Sequence, residues 1–286
     1  MMRTMDKVFE SVAKKGPVCI GLDTDIHYIP KEDLQKCPSP EKAVLRYNQR
    51  TIDATLDIAA VYKVQIAYYE AMGVGGLEVY RDTLAYLREK GAIVIADIKR
   101  GDIAKTAEMY AKAHFTGDFE ADIITVNPWM GMDTLKPYYP YLEKKEKGLF
   151  VLLSTSNPGA LDLEYQETVS GKPLWEVLGE KLTQEGQPFL GTHGYSDIGA
   201  VVGCTRPEDA VKIRELFPQL YFLVPGYGAQ GGTAKDLGGA FDSSKNGAVV
   251  NASRSILLAY QKEEYAGMTP EEAARKEALK MQQAFQ

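Results

Sequence analysis

The sequence predicts an α/β fold, and within that class a (β/α)8 barrel, the TIM-barrel architecture, formed as one domain by residues 1–286. Three observations predict it. Eight short apolar, β-branched segments recur along the chain, segments with helical periodicity separate them, and polar residues stand where the apolar segments end. Near-continuous apolar runs are typical of strands buried on both faces of a parallel sheet. A doubly wound open sheet shows the same alternation, so the polar residues must decide between the two.

Each predicted strand is a short run rich in Val, Ile, Ala and Leu. We place the strands at residues 18–23, 59–65, 92–99, 122–128, 148–155, 198–204, 221–225 and 247–253. Strands that alternate with helices, without a shift in composition, indicate repeated β-α-β units. Eight such units fit a chain of 286 residues folded as a barrel.

The segments between the strands have helical periodicity, and several end with Gly or Pro, as helix C-termini often do. They predict helices at residues 40–59, 76–91, 102–115, 133–148, 173–186, 206–218 and 269–285. Two connections are long and polar, at about residues 24–40 after the first strand and about 156–173 after the fifth. Connections of this length in a compact domain commonly act as lids or binding loops.

The composition limits the partners that we expect. The net charge is -6, which argues against nucleic acid or an anionic membrane surface as the main partner. No run approaches the roughly 18 apolar residues of a membrane span, and no apolar segment typical of a secretory signal stands at the N-terminus. Cys19, Cys37 and Cys204 are odd in number and widely spaced, which argues against disulfides and a zinc site. We therefore expect a cytoplasmic protein.

The segment AIVIADIKRGDIAKTAEMY, residues 92–110, places charged residues at the end of an apolar strand. Asp97 and Lys99 are two positions apart on this strand, so their side chains should share a face and meet. Asp102 follows across an Arg-Gly turn, where the next helix could begin, and Thr106 lies one helical turn further on the same side. A plain ion pair and a helix N-cap would explain these residues structurally.

Two neighbouring strands deliver further charges to the same edge. Lys63 stands at the end of the predicted second strand and Asp23 at the end of the first. Burying unpaired charge costs free energy, and even a paired buried array is rarely the most stable choice. In barrels, catalytic residues come from the C-terminal ends of several different strands. The distribution of charges therefore favours a barrel with an active site over an open sheet.

The loops after the last two strands are typical of an anion site. The segment VPGYGAQGG follows the seventh strand, and NASRSI follows the eighth and opens a helix. Barrels frequently bind phosphate at these two loops, where backbone N–H groups favour negative charge. Gln230 can donate an amide hydrogen bond and Arg254 a bidentate one. The segment STSNPG after the fifth strand, which includes Ser156, supplies hydroxyl and amide groups suited to a polar heterocycle.

With these residues together, the chain resembles the orotidine 5'-monophosphate decarboxylase family over essentially its whole length. The most specific element is DIKRGDIAKT, which matches the family signature Asp-x-Lys-x-x-Asp-x-x-x-Thr at every defining position. The STSNPG, AQGG and ASRSI loops are similar to those of the longer bacterial branch. The resemblance implies decarboxylation of orotidine 5'-monophosphate to UMP and CO₂ in de novo pyrimidine biosynthesis, without a cofactor or a metal ion.

The resemblance also implies roles for the charged residues. Lys99 would protonate C6 of the pyrimidine after CO₂ leaves, Asp97 would face the substrate carboxylate, and Lys63 would lie between the carboxylate region and the ribose. Asp102 and Thr106 would reach into the active site of a neighbouring subunit, which implies a homodimer.

Four further residues would bind the nucleotide. By the same resemblance, Asp23 would bind a ribose hydroxyl, Ser156 the edge of the pyrimidine, and Gln230 and Arg254 the phosphate. The sequence departs from the family pattern in the context of the second-strand lysine, VYKVQ, and in a short phosphate loop, GYGAQGG.

Two alternatives remain open. A related barrel can use the Asp-x-Lys-x-x-Asp frame on a sugar phosphate with Mg²⁺, as keto-gulonate-phosphate decarboxylases and hexulose-phosphate synthases do. Those enzymes need an acidic ligand at the end of the second strand, where this chain has Lys63. The second alternative is a non-catalytic phosphate-binding barrel, which would bind nucleotide without turnover.

Overall fold

A computed structural model describes residues 2–203, 205–227 and 236–285. Eight parallel strands close into a barrel in chain order, with the last strand paired to the first. The strands are β1 (Val18–Gly21), β2 (Val61–Gln65), β3 (Val94–Arg100), β4 (Ile123–Val126), β5 (Gly148–Ser154), β6 (Ile198–Val202), β7 (Phe222–Pro225) and β8 (Ala248–Ala252). The prediction of a (β/α)8 barrel is confirmed, and all eight predicted strands are present.

Helices connect the strands. In the described parts of the chain, the α-helices are α1 (Thr4–Lys15), α2 (Lys31–Gln35), α3 (Pro40–Thr55), α4 (Ile66–Glu70), α5 (Gly73–Glu89), α6 (Ala104–Phe115), α7 (Tyr139–Glu143), α8 (Ala160–Leu163), α9 (Leu174–Gly186), α10 (Pro207–Leu216), α11 (Arg254–Leu257) and α12 (Pro270–Ala284). Short 3₁₀ helices lie at Ile26–Tyr28, Met132–Tyr138, Gln187–Phe189, Gly238–Ala240, Ala259–Gln261 and Glu263–Tyr265. Among the described helices, none is long and apolar enough to cross a membrane.

The apolar residues of the strands divide between two buried clusters, because successive side chains of a strand point to opposite faces. The larger cluster joins the outer faces of the strands to the helices. The smaller cluster, which we call the inner layer, receives one side chain from every strand: Cys19, Val61, Ile95, Ile123, Phe150, Val201, Leu223 and Val249. The barrel interior is therefore packed with side chains and is not a channel.

Helix α1 packs against the inner layer from the N-terminal end of the barrel, and the sequence analysis did not predict it. Met5, Val8 and Val12 of this helix belong to the inner layer. Arg3 donates a hydrogen bond of 2.9 Å to Asp197, the residue before β6, and the backbone amide of Met5 donates another of 2.9 Å to the same carboxylate. Because α1 occupies that end, a substrate can enter only from the opposite, C-terminal end of the strands.

Two predicted helices differ from those observed. The helix after β3 begins at Ala104 and not at Asp102, because the residue between them, Ile103, is extended. Oδ1 of Asp102 accepts a hydrogen bond from the Ile103 backbone amide. The helix predicted over 133–148 is a 3₁₀ helix followed by the five residues of α7, with Pro137 inside the 3₁₀ segment. A proline cannot donate the backbone hydrogen bond that a continuous α-helix requires.

Candidate active site

Polar side chains occupy the barrel directly above the inner layer. A residue two positions after an inward-facing strand residue also faces inward. Lys63, Asp97, Thr125 and Asn251 each stand two positions after a member of the inner layer, on β2, β3, β4 and β8. The strand period therefore places charge at the C-terminal mouth of the barrel, the end at which TIM-barrel enzymes have their active sites.

Lys63 and Asp97 form a continuous charged array with Asp23, which follows β1, and Lys99 of β3. Nζ of Lys63 lies 2.9 Å from Oδ1 of Asp23 and 3.1 Å from Oδ2 of Asp97. Nζ of Lys99 lies 2.6 Å from Oδ1 of Asp97. Lys63 and Asp97 are buried, whereas 46% of the Lys99 side chain is exposed. The array therefore holds three members firmly and presents one ammonium group to the mouth of the barrel.

The array keeps its two buried members, Lys63 and Asp97, charged. Burial alone lowers the pKa of Lys63, but the neighbouring Asp23 and Asp97 carboxylates outweigh it and raise that pKa above the ordinary value. Burial alone raises the pKa of Asp97, but Lys63 and Lys99, with hydrogen bonds from Lys99 and Thr125, lower it to about 2. These two buried charges are therefore stabilised by their neighbours rather than by water.

Uncharged residues that the sequence analysis did not identify complete the array. Gln65 donates a hydrogen bond of 2.9 Å to Oδ2 of Asp97, and Ser253 donates one of 2.8 Å to Oδ2 of Asp23. Asn251 in turn donates to the Ser253 hydroxyl over 3.1 Å. These residues end or follow strands, as the charged residues do, so the same positional signal could have identified them.

The end of β3 is irregular. Its register with β4 shifts between Ala96 and Arg100. The φ angle of Lys99 is 43°, in the left-handed region that residues other than glycine seldom adopt. The sequence argument that a regular strand brings Asp97 and Lys99 together was therefore wrong about the backbone, although the two side chains do meet. Such conformations persist only where the surrounding structure holds them.

The charged mouth encloses a cavity of about 240 Å³. Five residues singled out from the sequence line it: Asp23, Lys63, Asp97, Lys99 and Arg254. Gly226 and Tyr227, which follow β7, form part of its wall. Gln230 lies outside the described residues. The cavity thus joins the charged array to the loops after β7 and β8.

Three other candidates lie away from this cavity. Ser156 follows β5, and its carbonyl oxygen accepts a hydrogen bond of 3.3 Å from Thr205. Asp102 is half-buried and Thr106 is exposed, and neither lines the cavity of its own subunit.

A larger cavity of about 590 Å³ lies beside the ends of β4 and β5 and is mainly apolar. The charged group in its wall is Glu164, whose carboxylate accepts hydrogen bonds of 2.7 Å and 2.6 Å from the backbone amide and hydroxyl of Thr155. The Glu164 carboxylate therefore stabilises the loop after β5 through Thr155. We therefore take the smaller, charged cavity as the candidate active site.

Comparison with known proteins identifies the family of the chain. Residues 16–268 match the family described as Orotidine 5'-phosphate decarboxylase / HUMPS family. The chain belongs to this family. Two relatives in it, both named Orotidine 5'-phosphate decarboxylase, are 58% identical over 277 residues (Clostridium acetobutylicum) and 57% identical over 280 residues (Clostridium perfringens strain 13). These alignments cover 97% and 98% of this chain and 96% and 97% of the relatives.

The family fold agrees with the barrel described above. A solved structure titled as a putative orotidine 5'-phosphate decarboxylase from Streptomyces avermitilis superposes with a TM-score of 0.82 at 28% identity. The superposition covers 100% of this chain and 96% of that one. The fold of this chain is therefore shared with that structure over the whole barrel.

Proposed function

We propose that the protein catalyses, in the cytoplasm, the decarboxylation of orotidine 5'-monophosphate to UMP and CO₂ in de novo pyrimidine biosynthesis, without a cofactor. The observation that carries this proposal is the alternating array of Asp23, Lys63, Asp97 and Lys99 at the mouth of the barrel. The names of relatives more than half identical to this chain support it.

The reaction needs electrostatic stabilisation more than it needs covalent chemistry. The bond between C6 and the carboxylate carbon breaks, CO₂ leaves, and the electron pair remains on C6 as a vinylic carbanion. The Lys99 ammonium group transfers a proton to C6, which gives UMP, and Lys99 regains a proton from water. At an effective dielectric of ~20, unit charges ~4 Å apart interact by about 4 kcal/mol, and charges already in place need no reorganisation.

The array suits proton transfer to C6 because Lys99 is its accessible end. The Lys99 side chain is half exposed at the mouth, while Asp97 beneath it is buried between two lysines. A substrate carboxylate entering the cavity would lie beside Asp97, and the carbanion left by CO₂ would lie beside the Lys99 ammonium group. Lys63, bonded to both aspartates, would fix the distance between the ribose and carboxylate regions.

The nucleotide would extend from the array across the mouth. Asp23 would bind a ribose hydroxyl, and Arg254 with Gln230 would bind the phosphate. Arg254 and the array line one cavity, which supports this assignment. Ser156 would hydrogen-bond the pyrimidine edge from the loop after β5. Binding energy from a phosphate distant from C6 can be used to hold the reacting end in place.

We also propose a homodimer in which Asp102 and Thr106 enter the partner's active site. Neither residue lines the cavity of its own subunit. Two large apolar side chains are exposed on this side of the barrel mouth, Ile103 (55% exposed), which follows Asp102 in the chain, and Trp129 (68% exposed). Ile103 follows β3 and Trp129 follows β4, and the two loops pack together at Gly101. Large apolar side chains that stay exposed on neighbouring loops are typical of a protein interface.

The Mg²⁺-dependent alternative is weaker because of Lys63. Its ammonium group lies between Asp23 and Asp97, within 2.9 Å and 3.1 Å of their oxygens, which is where a cation bound to both would lie. A metal ion there would be repelled by the Lys63 ammonium group, and β2 would offer it no acidic ligand. The non-catalytic alternative leaves unexplained why a half-exposed ammonium group is held beside a buried carboxylate.

A direct assay tests the proposal. Orotidine 5'-monophosphate is added to the purified protein after treatment with EDTA, and the fall in pyrimidine absorbance is followed. We expect conversion to UMP at the same rate before and after the treatment. Activity lost to EDTA and restored by Mg²⁺ would favour the sugar-phosphate branch, which a parallel assay with sugar phosphates would identify. Nucleotide binding without turnover would favour the non-catalytic barrel.

A further inference from the structure

The hydroxyl group of Thr125 lies at the centre of the irregular end of β3. Its Oγ1 accepts hydrogen bonds from the backbone amides of Ile98 and Lys99, both over 2.9 Å, and donates one of 2.8 Å to Oδ1 of Asp97. A hydroxyl group has one donor and two acceptor sites, so all three are used. Thr125 is 1% exposed, which excludes water as a substitute partner.

These bonds replace the missing part of the β3–β4 ladder. Ala96 pairs with Ile124 and Arg100 pairs with Val126, so three residues of β3 stand opposite Thr125 alone. Two residues on one strand opposite one on the other already make a β-bulge, and the surplus residues lose their ladder partners. The Thr125 side chain supplies the acceptor that the backbone amides of Ile98 and Lys99, two of these three residues, need.

The same bonds hold Lys99 in its unfavourable conformation. A φ of 43° at a residue other than glycine costs free energy and must be maintained by its surroundings. The amide of Lys99 is bonded to Thr125, and the Lys99 ammonium group is bonded to the carboxylate oxygen that Thr125 also contacts. Backbone and side chain of the lysine are thus fixed by the same hydroxyl.

We propose that Thr125 is a positioning residue whose hydroxyl group sets the end of β3 so that the Lys99 ammonium group and the Asp97 carboxylate face the substrate together. This inference rests on the proposed function. Thr125 touches neither the substrate cavity nor the reacting atoms, so it acts through the two residues that it holds. Its loss should affect the chemical step and leave nucleotide binding nearly unchanged.

Three substitutions at this position distinguish the effect of the hydroxyl group from the effect of the side-chain shape. Thr125→Val keeps the shape and removes the hydroxyl, while Thr125→Ser keeps the hydroxyl and removes the methyl group. Thr125→Ala removes the hydroxyl without placing a methyl group against the two amides, and it repeats the test if the valine variant does not fold. The measurements are kcat, KM, the affinity for UMP and the melting temperature.

We expect kcat to fall about 100-fold in Thr125→Val, since a displacement of about 1 Å at a reacting group can cost that much. The affinity for UMP should stay within about threefold of the wild-type value, and Thr125→Ser should recover kcat to within about tenfold. Thr55→Val is the matched control. Thr55 is also fully buried and bonded through its hydroxyl, to the Thr51 carbonyl and to Tyr62, and it lies on α3 away from the array.

The outcomes distinguish this inference from the proposed function. Wild-type protein that does not decarboxylate orotidine 5'-monophosphate overturns the proposed function itself. Active wild-type protein with an equally active Thr125→Val variant overturns the positioning role alone. A parallel loss of kcat and UMP affinity in Thr125→Val would show that the variant disturbs the whole site. An equal loss of kcat in Thr55→Val would show that any buried hydroxyl has this effect. Either result would also overturn the positioning role.

Discussion

Oδ1 of Asp97 lies 2.6 Å from Nζ of Lys99, and Oδ2 of the same carboxylate lies 3.1 Å from Nζ of Lys63. Thr125 and Gln65 donate one further hydrogen bond each, so four donors surround the carboxylate. A carboxylate has about four acceptor sites, which these donors fill. Asp97 therefore cannot turn without breaking several charge-assisted bonds, and the two ammonium groups keep a fixed separation. Fixed charges of this kind are the main requirement of electrostatic catalysis.

The ionised Asp97 carboxylate should stabilise the folded state at neutral pH, and this stabilisation should be lost in acid. Its folded pKa of about 2 is below the ordinary value of 3.8, so the unfolded chain takes up the proton first as the pH falls. The stabilisation is present above about pH 4, and it is lost as the pH falls through the folded pKa. The shift corresponds to about 2 kcal/mol. Urea denaturation of wild-type protein and Asp97→Asn between pH 3 and pH 8 measures this contribution.

The expected result is a steeper loss of unfolding free energy below about pH 5 in the wild-type protein than in Asp97→Asn. The variant should be the less stable of the two at neutral pH, because Lys99 then lacks its charged partner and Lys63 keeps only Asp23. Parallel pH profiles of the two proteins would contradict the assignment of this pH dependence to Asp97.

Subunit mixing tests the proposed exchange of Asp102 between active sites. Inactive Lys99→Ala and Asp102→Ala proteins are mixed under conditions that allow subunits to exchange. Each heterodimer then contains one site with both native residues, because Asp102 of the Lys99→Ala subunit serves the other subunit's intact Lys99. With random pairing we expect about a quarter of the wild-type activity, as follows from two-fold symmetry.

The matched control for this experiment is a mixture of Lys99→Ala and Asp97→Ala. Lys99 and Asp97 serve the same site in one subunit, so no heterodimer contains an intact site and no activity should return. Differently tagged subunits verify the exchange. Verified exchange without recovery in the Asp102 mixture would contradict the shared site.

Gly203 should control the position of Ser156. A Cβ atom at Gly203 would lie 2.7 Å from the backbone nitrogen of Ser156 and 2.9 Å from its Cα. We therefore expect Gly203→Ala to displace Ser156 and to raise KM for the nucleotide by about tenfold, the equivalent of one lost hydrogen bond. Gly238→Ala is the control, because a Cβ atom there meets nothing within 4 Å. If the two variants have equal KM values, Ser156 does not contribute to substrate binding.

The strands and the charged array could be predicted from local patterns. Continuous apolar runs define buried parallel strands, and the period of two places Lys63 and Asp97 above apolar neighbours that face inward. Helix α1 was missed because the alternation of strands and helices does not require a helix before β1. Its signal was nevertheless present, since Met5, Val8 and Val12 have the spacing of one helix face.

Other features depend on contacts that no local pattern contains. The role of Thr125 follows from a register shift between two strands, and the left-handed conformation of Lys99 follows from the bonds that hold it. A threonine inside an apolar strand is common and carries no signal of this kind. Likewise, the sequence gives no measure of how far Ser156 and Asp102 lie from the cavity that Lys99 lines, because that depends on how the loops pack.

The turnover of Lys99→Ala shows whether Lys99 is the residue that protonates C6. The half-exposed Lys99 side chain contributes little to packing, and Asp97 keeps its bond to Lys63, so the barrel should stay folded. Lys105→Ala, at an exposed lysine of α6, is the matched control. We predict that Lys99→Ala binds UMP and melts cooperatively but shows no measurable decarboxylation of orotidine 5'-monophosphate, while Lys105→Ala retains wild-type turnover. Undiminished decarboxylation by folded Lys99→Ala protein would show that Lys99 does not protonate C6.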